Sequence, residues 1–170
     1  MNIVFIGYRG TGKSAIAEQL SDRLSRPKFD MDEEIVAEAG MSIPEIVATK
    51  GWDFFRDLES EIARRASKRD QTVIDAGGGV VVRRENIKAL RRNGLVIWLR
   101  ADAETIADRI RTSAERPSLT GSRSFLEEID EVLRERTPLY REAADFDIDT
   151  SRLAIETVTE KIAAWLEGRI

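Results

Sequence analysis

Short apolar runs alternate along this chain with longer stretches in which apolar residues return every three or four positions. Buried parallel strands separated by amphipathic helices produce this arrangement. It predicts strands at residues 2–6, 72–75, 95–99 and 146–148, with a weak short one at 28–29. Ile16, Leu20 and Leu24 share one face of a first helix. A helical block follows from about residue 31 to 69, with breaks near Gly40 and Gly51. Ser42 and Glu45, with Pro44 between them, read as a helix start with a capping box. The same signature recurs at Ser124 and Glu127, ahead of Ile129, Val132 and Leu133. Ile155, Val158, Ile162 and Trp165 form a last stripe. These stripes and the aromatic residues read as core rather than ligand contacts.

The pattern predicts an α/β fold with a parallel sheet, in one domain spanning residues 1–170. No repeat, low-complexity tract or linker interrupts it. Residues 113–124, with Pro117 and Gly121, lack an apolar period and sit between two helices; they read as a surface loop or as a lid over a site.

Composition narrows the chemistry. There is no Cys and no His. That excludes disulfides, thiolate nucleophiles, Cys-ligated metals and imidazole bases, and leaves proton transfer to carboxylates, Lys, Tyr or water. A net charge of −4 argues against a broad nucleic-acid-binding surface. No apolar run is long enough for a signal core or a membrane span, so a cytoplasmic protein with no membrane partner is expected. Arg outnumbers Lys by 21 to 6. Arg presents a fork of donors matched to carboxylates and phosphates, although solvated helix faces account for most such residues.

The sharpest motif is Gly7-Tyr8-Arg9-Gly10-Thr11-Gly12-Lys13-Ser14, a phosphate loop placed between a buried strand and an amphipathic helix. Gly10, Thr11, Gly12, Lys13, Ser14 and Ala15 are the candidate nucleotide cradle. Glycines let backbone N–H groups turn inward on a phosphate, and the helix dipole points at the same anion. Lys13 reaches the outer phosphates, and the Ser14 hydroxyl suits Mg²⁺. The motif therefore implies a nucleoside triphosphate, with Mg²⁺ at the Ser14 hydroxyl.

Two further features carry chemistry. Asp30-Met31-Asp32 follows the weak second strand, where alternation sets both carboxylates on one side; one member suits a metal and the other an acceptor hydroxyl. Helix capping is the competing explanation. Farther on, a strand ending in Asp75 leads through Ala76 into Gly77-Gly78-Gly79, which would let a ligand approach the backbone at the carboxyl end of the sheet.

Together GYRGTGKS at 7–14, FDMDEEI at 29–35, GWDFFRDLE at 51–59, the triple glycine, RPSLTG at 116–121 and PLYREAADFDIDT at 138–150 resemble the shikimate kinase family over nearly the whole chain. The resemblance implies a three-layer P-loop kinase fold with a central five-stranded parallel sheet. Residues from about 31 to 60 would supply substrate-binding helices, and 113–124 a lid. The implied activity is ATP-dependent phosphorylation of the 3-hydroxyl of shikimate, by a monomer. The resemblance assigns Asp30 to the Mg²⁺ shell and Asp32 to the substrate hydroxyls, possibly as general base. It assigns Arg56, Arg141 and the Gly78–Gly79 backbone to the substrate carboxylate. Glu59 would orient Arg56, the lid residue Arg116 would touch the transferred phosphoryl, and Arg111 and Arg152 would lie near the adenine.

One departure stands out. The family often places a small hydroxyl residue immediately before the triple glycine, where this chain has Ala76. Asp75 either compensates or points into the sheet. Rival readings are a gluconate or nucleoside monophosphate kinase, and a nucleotide switch without catalysis. Residues 75–78 match the Asp-x-x-Gly of GTPases, but no Asn-Lys-x-Asp is present to read guanine.

Overall fold

The computed structural model describes residues 1–112 and 125–170, except for the side chain of Thr112. Strands β1 (Asn2–Ile6), β2 (Lys28–Asp30), β3 (Val73–Asp75), β4 (Gly94–Arg100) and β5 (Phe146–Asp149) form one sheet in the order β2-β3-β1-β4-β5. Every pairing is parallel. Between the strands lie α1 (Lys13–Leu24), α2 (Met31–Ala39), α3 (Ile43–Ser67), α4 (Arg84–Leu90), α5 (Ala103–Thr112) and α6 (Phe125–Ala143), with α7 (Ile155–Leu166) last.

Alternation along β1 sorts the core into two layers. Val4 and Ile6 join Ile74, Val96 and Trp98 on one face, against Met31, Ile46, Ile62 and Tyr140 of the helices. Ile3 and Phe5 join Val73, Ile97 and Leu99 on the other, against Ile16 and Leu20 of α1 and Val158 and Ile162 of α7. A smaller cluster of Tyr8, Ile106, Ile110 and Ile129 seats α5 and α6 beside the phosphate loop. Ile155, expected on the last stripe, is exposed at the first position of α7. Trp165 of the same helix stacks on Phe146 with ring centroids 4.8 Å apart.

The helix start at Ser42 is a full capping box: the Ser42 side chain accepts from Glu45 N, while Glu45 Oε2 accepts from Ser42 N at 2.8 Å. Gly40 ends α2 in a left-handed conformation. The break expected near Gly51 is present as well: with φ 85° and ψ 169° Gly51 leaves helical geometry and kinks α3 into two segments just before Trp52, Phe55 and Arg56. Residue 124, and with it the start signal expected there, lies outside the described residues, as does the stretch read as a loop or lid.

β1 is flanked by β3 on one side and β4 on the other; the chain leaves β1 for β2 on the first side and later crosses from β3 to β4 on the second. In a parallel α/β sheet the crevice beyond such a point, at the carboxyl ends of the strands, is where ligands bind. The phosphate loop, Asp30, Asp75 and the triple glycine all emerge there. Among the described residues no helix is long and apolar enough to cross a membrane.

Candidate active site

The phosphate loop leaves β1 at Gly7 (φ 144°), where a Cβ would stand 2.2 Å from the Leu99 backbone oxygen. No side chain fits against β4 there. Gly12 takes a left-handed conformation at the N-cap of α1. Thr11 is buried, and its hydroxyl donates to Tyr8 O at 2.8 Å. The Thr150 hydroxyl in turn donates to Thr11 O at 2.9 Å. Arg109 of α5 donates to Gly10 O at 3.2 Å and to Thr150 O at 2.7 Å. These bonds tie the outside of the loop to α5 and to the end of β5. On the inside, Lys13 Nζ donates to Gly7 O at 2.8 Å and to Tyr8 O at 3.2 Å. Ser14 and Ala15 are exposed on the first turn of α1.

Three carboxylates face this loop. Asp30 ends β2 and caps α2: its Oδ1 accepts from Asp32 N at 2.9 Å and from Glu33 N at 3.1 Å. The capping explanation therefore holds for Oδ1, and it leaves Oδ2 with no hydrogen bond among the described residues. Asp75, at the end of β3, is the register partner of Asp30 and is 5% exposed. Burial pushes its carboxyl up, Asp30 and Asp32 add to the rise, and the Lys13 charge and the Ser14 hydroxyl oppose it. Asp75 thus lies in the electrostatic reach of the loop rather than isolated within the sheet. Asp32, half-buried, lies against Gly77, where a Cβ would stand 2.7 Å from its Oδ1.

On the other side of the triple glycine, Arg56 Nη1 donates to Glu59 Oε2 at 2.7 Å, with side-chain exposures of 13% and 2%. The pair is therefore not a surface contact. Burial pushes the Glu59 carboxyl up; the charge and hydrogen bond of Arg56 pull it back. Trp52 and Phe55 lean on the guanidinium with ring centroids 5.4 and 5.1 Å from it. Trp52 is 45% exposed, so this ring lies at the margin of the core, edge-on to Phe55 with centroids 5.9 Å apart and against the Arg56 guanidinium. The guanidinium lies flat against Gly79, where a Cβ would come within 2.1 Å of Nη1. From α6, Arg136 Nη1 donates to Gly78 O at 3.1 Å, and Tyr140 Oη donates to the same oxygen at 2.5 Å.

The arrangement differs from expectation at two arginines. Arg141 does not meet Arg56. It is exposed, and it lines a separate cleft of about 660 Å³ with Tyr8, Trp98, Arg100 and Asp102. At 3.6 residues per turn it points about 140° around α6 from Arg136. Arg136 and Tyr140 share the buried face with Ile129 and Ala143, so Arg136 is the guanidinium brought to the triple glycine. Likewise Arg111 is exposed and pairs with Asp108 at 3.6 Å, while Arg109 reaches the phosphate loop. Arg152 is exposed after β5. Arg116 lies outside the described residues.

The sequence model of the family described as "Shikimate kinase" matches residues 9–167. A shikimate kinase from Symbiobacterium thermophilum is 41% identical over 171 residues, covering 99% of this chain and 98% of its own. One from Thermodesulfovibrio yellowstonii is 42% identical over 161 residues, covering 95% and 92%. The solved structure of the Acinetobacter baumannii shikimate kinase in complex with shikimate superposes with a TM-score of 0.92 at 29% identity, over 99% of this chain and 93% of that one. This chain belongs to the shikimate kinase family.

Proposed function

We propose that this chain transfers the γ-phosphoryl group of ATP to the 3-hydroxyl of shikimate, giving shikimate 3-phosphate. The observation that carries the reading is the convergence, at one sheet edge, of a nucleotide cradle and a carboxylate clamp. Lys13 and Ser14 open α1 on one side of Asp32, and Arg56 and Arg136 bracket the triple glycine on the other. A small hydroxylated carboxylate held by the clamp presents a hydroxyl toward the cradle.

Arg56 and Arg136 supply the charge-assisted donors for the carboxylate, with the Gly78–Gly79 backbone beside them. Asp32 orients the attacking hydroxyl and accepts its proton as the oxygen–phosphorus bond forms and the bond to the leaving ADP oxygen breaks. The cradle of Gly10, Thr11, Gly12, Lys13, Ser14 and Ala15 holds the phosphates, and Lys13 neutralises charge developing on them. Arg116 is assigned to the transferred phosphoryl. Arg111 and Arg152 are assigned to the adenine, and Arg109 to the shape of the loop. Arg141 is not retained for the carboxylate.

Mg²⁺ fits the donor set. Ser14, the Oδ2 of Asp30 and Asp75 offer only hard oxygen atoms, and the charges of Asp30 and Asp32 both act on the buried Asp75. Held there, Mg²⁺ would supply positive charge against the negative charge of the phosphates. We assign Ser14 and Asp30 to holding it, with Asp75 beside them in place of the hydroxyl missing at Ala76. The reaction is placed in the cytoplasm and needs no partner chain.

The test is ADP release measured with shikimate, quinate, gluconate and nucleoside monophosphates, alongside a control without acceptor. Shikimate is expected to give the highest kcat/KM. Faster turnover on gluconate or a nucleotide, or full ADP release without acceptor, overturns the reading.

A further inference from the structure

The Gly78 carbonyl takes two donors, one of which the clamp needs elsewhere. Arg136 Nη1 reaches it at 3.1 Å and Tyr140 Oη at 2.5 Å. Tyr140 is fully buried, and its ring stacks on Trp98 with centroids 5.7 Å apart and planes 21° apart. Trp98 is fixed in turn by β4, paired in register with Ile6 of β1. The hydroxyl is therefore braced by the sheet itself. Burial pushes the phenol up to about 12, which keeps it a neutral donor at any pH where the enzyme works.

A trans peptide points its C=O and its following N–H in opposite directions. Anchoring Gly78 O toward α6 therefore aims the Gly79 N–H away from α6. Among the described residues nothing accepts from the N–H of Gly78 or Gly79, whereas Val80 N donates to Gly77 O and Val82 N to Gly79 O. The Arg56 guanidinium already lies against Gly79. An unsatisfied N–H beside a guanidinium is a carboxylate-binding arrangement only if the peptide plane cannot rotate. Glycine by itself offers no resistance to rotation.

We propose that Tyr140 is a positioning residue for the acceptor carboxylate: its hydroxyl holds the Gly78–Gly79 peptide so that the Gly79 N–H is presented beside Arg56, and it keeps the Gly78 carbonyl satisfied when Arg136 leaves it for the carboxylate. Without the hydroxyl, Arg136 would have to leave a partly buried carbonyl without a donor in order to bind the acceptor. Tyr140 touches no reacting atom. The inference rests on the shikimate reading above and deepens it.

Tyr140→Phe removes only the hydroxyl and leaves the stack on Trp98. The KM for shikimate should rise about tenfold, the loss of one buried hydrogen bond, with kcat and the KM for ATP within about twofold of wild type. Circular dichroism and the melting curve establish that the variant folds. An unchanged shikimate KM in the folded variant, or an equal rise in both KM values, overturns the proposal. A second measurement needs no acceptor: in the ligand-free Arg136→Ala protein, where Tyr140 is the remaining donor to the Gly78 carbonyl, backbone amide relaxation at Gly79 should report a rigid peptide, and a mobile one once Tyr140→Phe is added. Equal rigidity overturns the proposal. Should wild type fail to phosphorylate shikimate at all, the functional reading fails, and this ligand-free comparison still decides the role of Tyr140.

Discussion

Glu59 holds Arg56 from one helical turn away: its Oε2 accepts from Arg56 Nη1 at 2.7 Å, and its side chain is 2% exposed. Removing one partner of such a pair leaves the other charge buried alone. Glu59→Ala should therefore lower the free energy of unfolding by about 3–5 kcal/mol, towards the lower bound because Arg56 keeps 13% exposure. Urea denaturation measures it. A loss below 1 kcal/mol, the range of exposed pairs, would show that Glu59 does not anchor Arg56.

Gly79→Ala and Gly7→Ala should fail in different ways. A Cβ at Gly79 meets the mobile end of Arg56 at 2.1 Å, so the arginine is displaced and the fold survives. The shikimate KM should rise about tenfold or more while the ATP KM stays put, matching the loss of a charge-assisted hydrogen bond. A Cβ at Gly7 meets the Leu99 backbone oxygen at 2.2 Å with φ 144°, and neither can yield. That variant should lose stability, by at least the 1–3 kcal/mol or so typical of backbone strain, which thermal melting will show.

Arg136→Ala should raise the shikimate KM about 10- to 100-fold, the worth of a charge-assisted hydrogen bond. Arg141→Ala should change it less than about twofold, the neutral outcome expected of a surface position. Steady-state kinetics with shikimate varied at saturating ATP separates the two. The opposite order would return Arg141 to the clamp.

Asp30→Asn keeps a side chain that caps α2 equally well and removes the charge. Asp75→Asn does the same for the buried end of β3. Calorimetry of ADP binding, with Mg²⁺ and then with a chelator, isolates the contribution of the metal. Each variant should shrink the gain in affinity that Mg²⁺ confers by about tenfold, the scale on which perturbing a metal's surroundings weakens its binding, with metal-free ADP binding undiminished. An unchanged gain in Asp75→Asn would show that this carboxylate does not serve the metal.

Tyr140 sets an alkaline limit. Burial raises its phenol from 10.0 to about 12, so the fold favours the neutral form. Its contribution to stability is complete below the unfolded value near 10 and is lost as pH rises through about 12. Denaturation midpoints followed with pH should fall over that window in wild type and fall less in Tyr140→Phe. Parallel curves would contradict the assignment.

The sheet and the nucleotide cradle were legible because their signals are local. Alternation of Ile3 and Phe5 against Val4 and Ile6 announces a doubly covered strand, and Gly-Lys-Ser after it announces a phosphate site. The clamp depends on which side of a helix faces inward. Arg136 lies two residues before the 138–150 motif that contains Arg141, and helical phase distinguishes them: Ile129, Arg136, Tyr140 and Ala143 share a face, and Arg141 does not. On α5 phase does not separate Arg109 from Arg111; Arg109 is marked out only by its bonds to Gly10 O and Thr150 O, which join parts of the chain far apart in sequence. Helix α4 escaped notice because its seven residues span barely two turns. The direction of Asp75 depended on its neighbour across the sheet, Asp30, forty-five positions earlier in the chain.

Lys13 donates to the carbonyls of Gly7 and Tyr8 from within the loop. The ring of amides is therefore kept in shape before any phosphate arrives, with a cation resting across it. ATP exchanges bonds with a finished receptor instead of moulding a slack one. The entropy of ordering the loop has been met during folding, and little of it is left to weaken nucleotide binding.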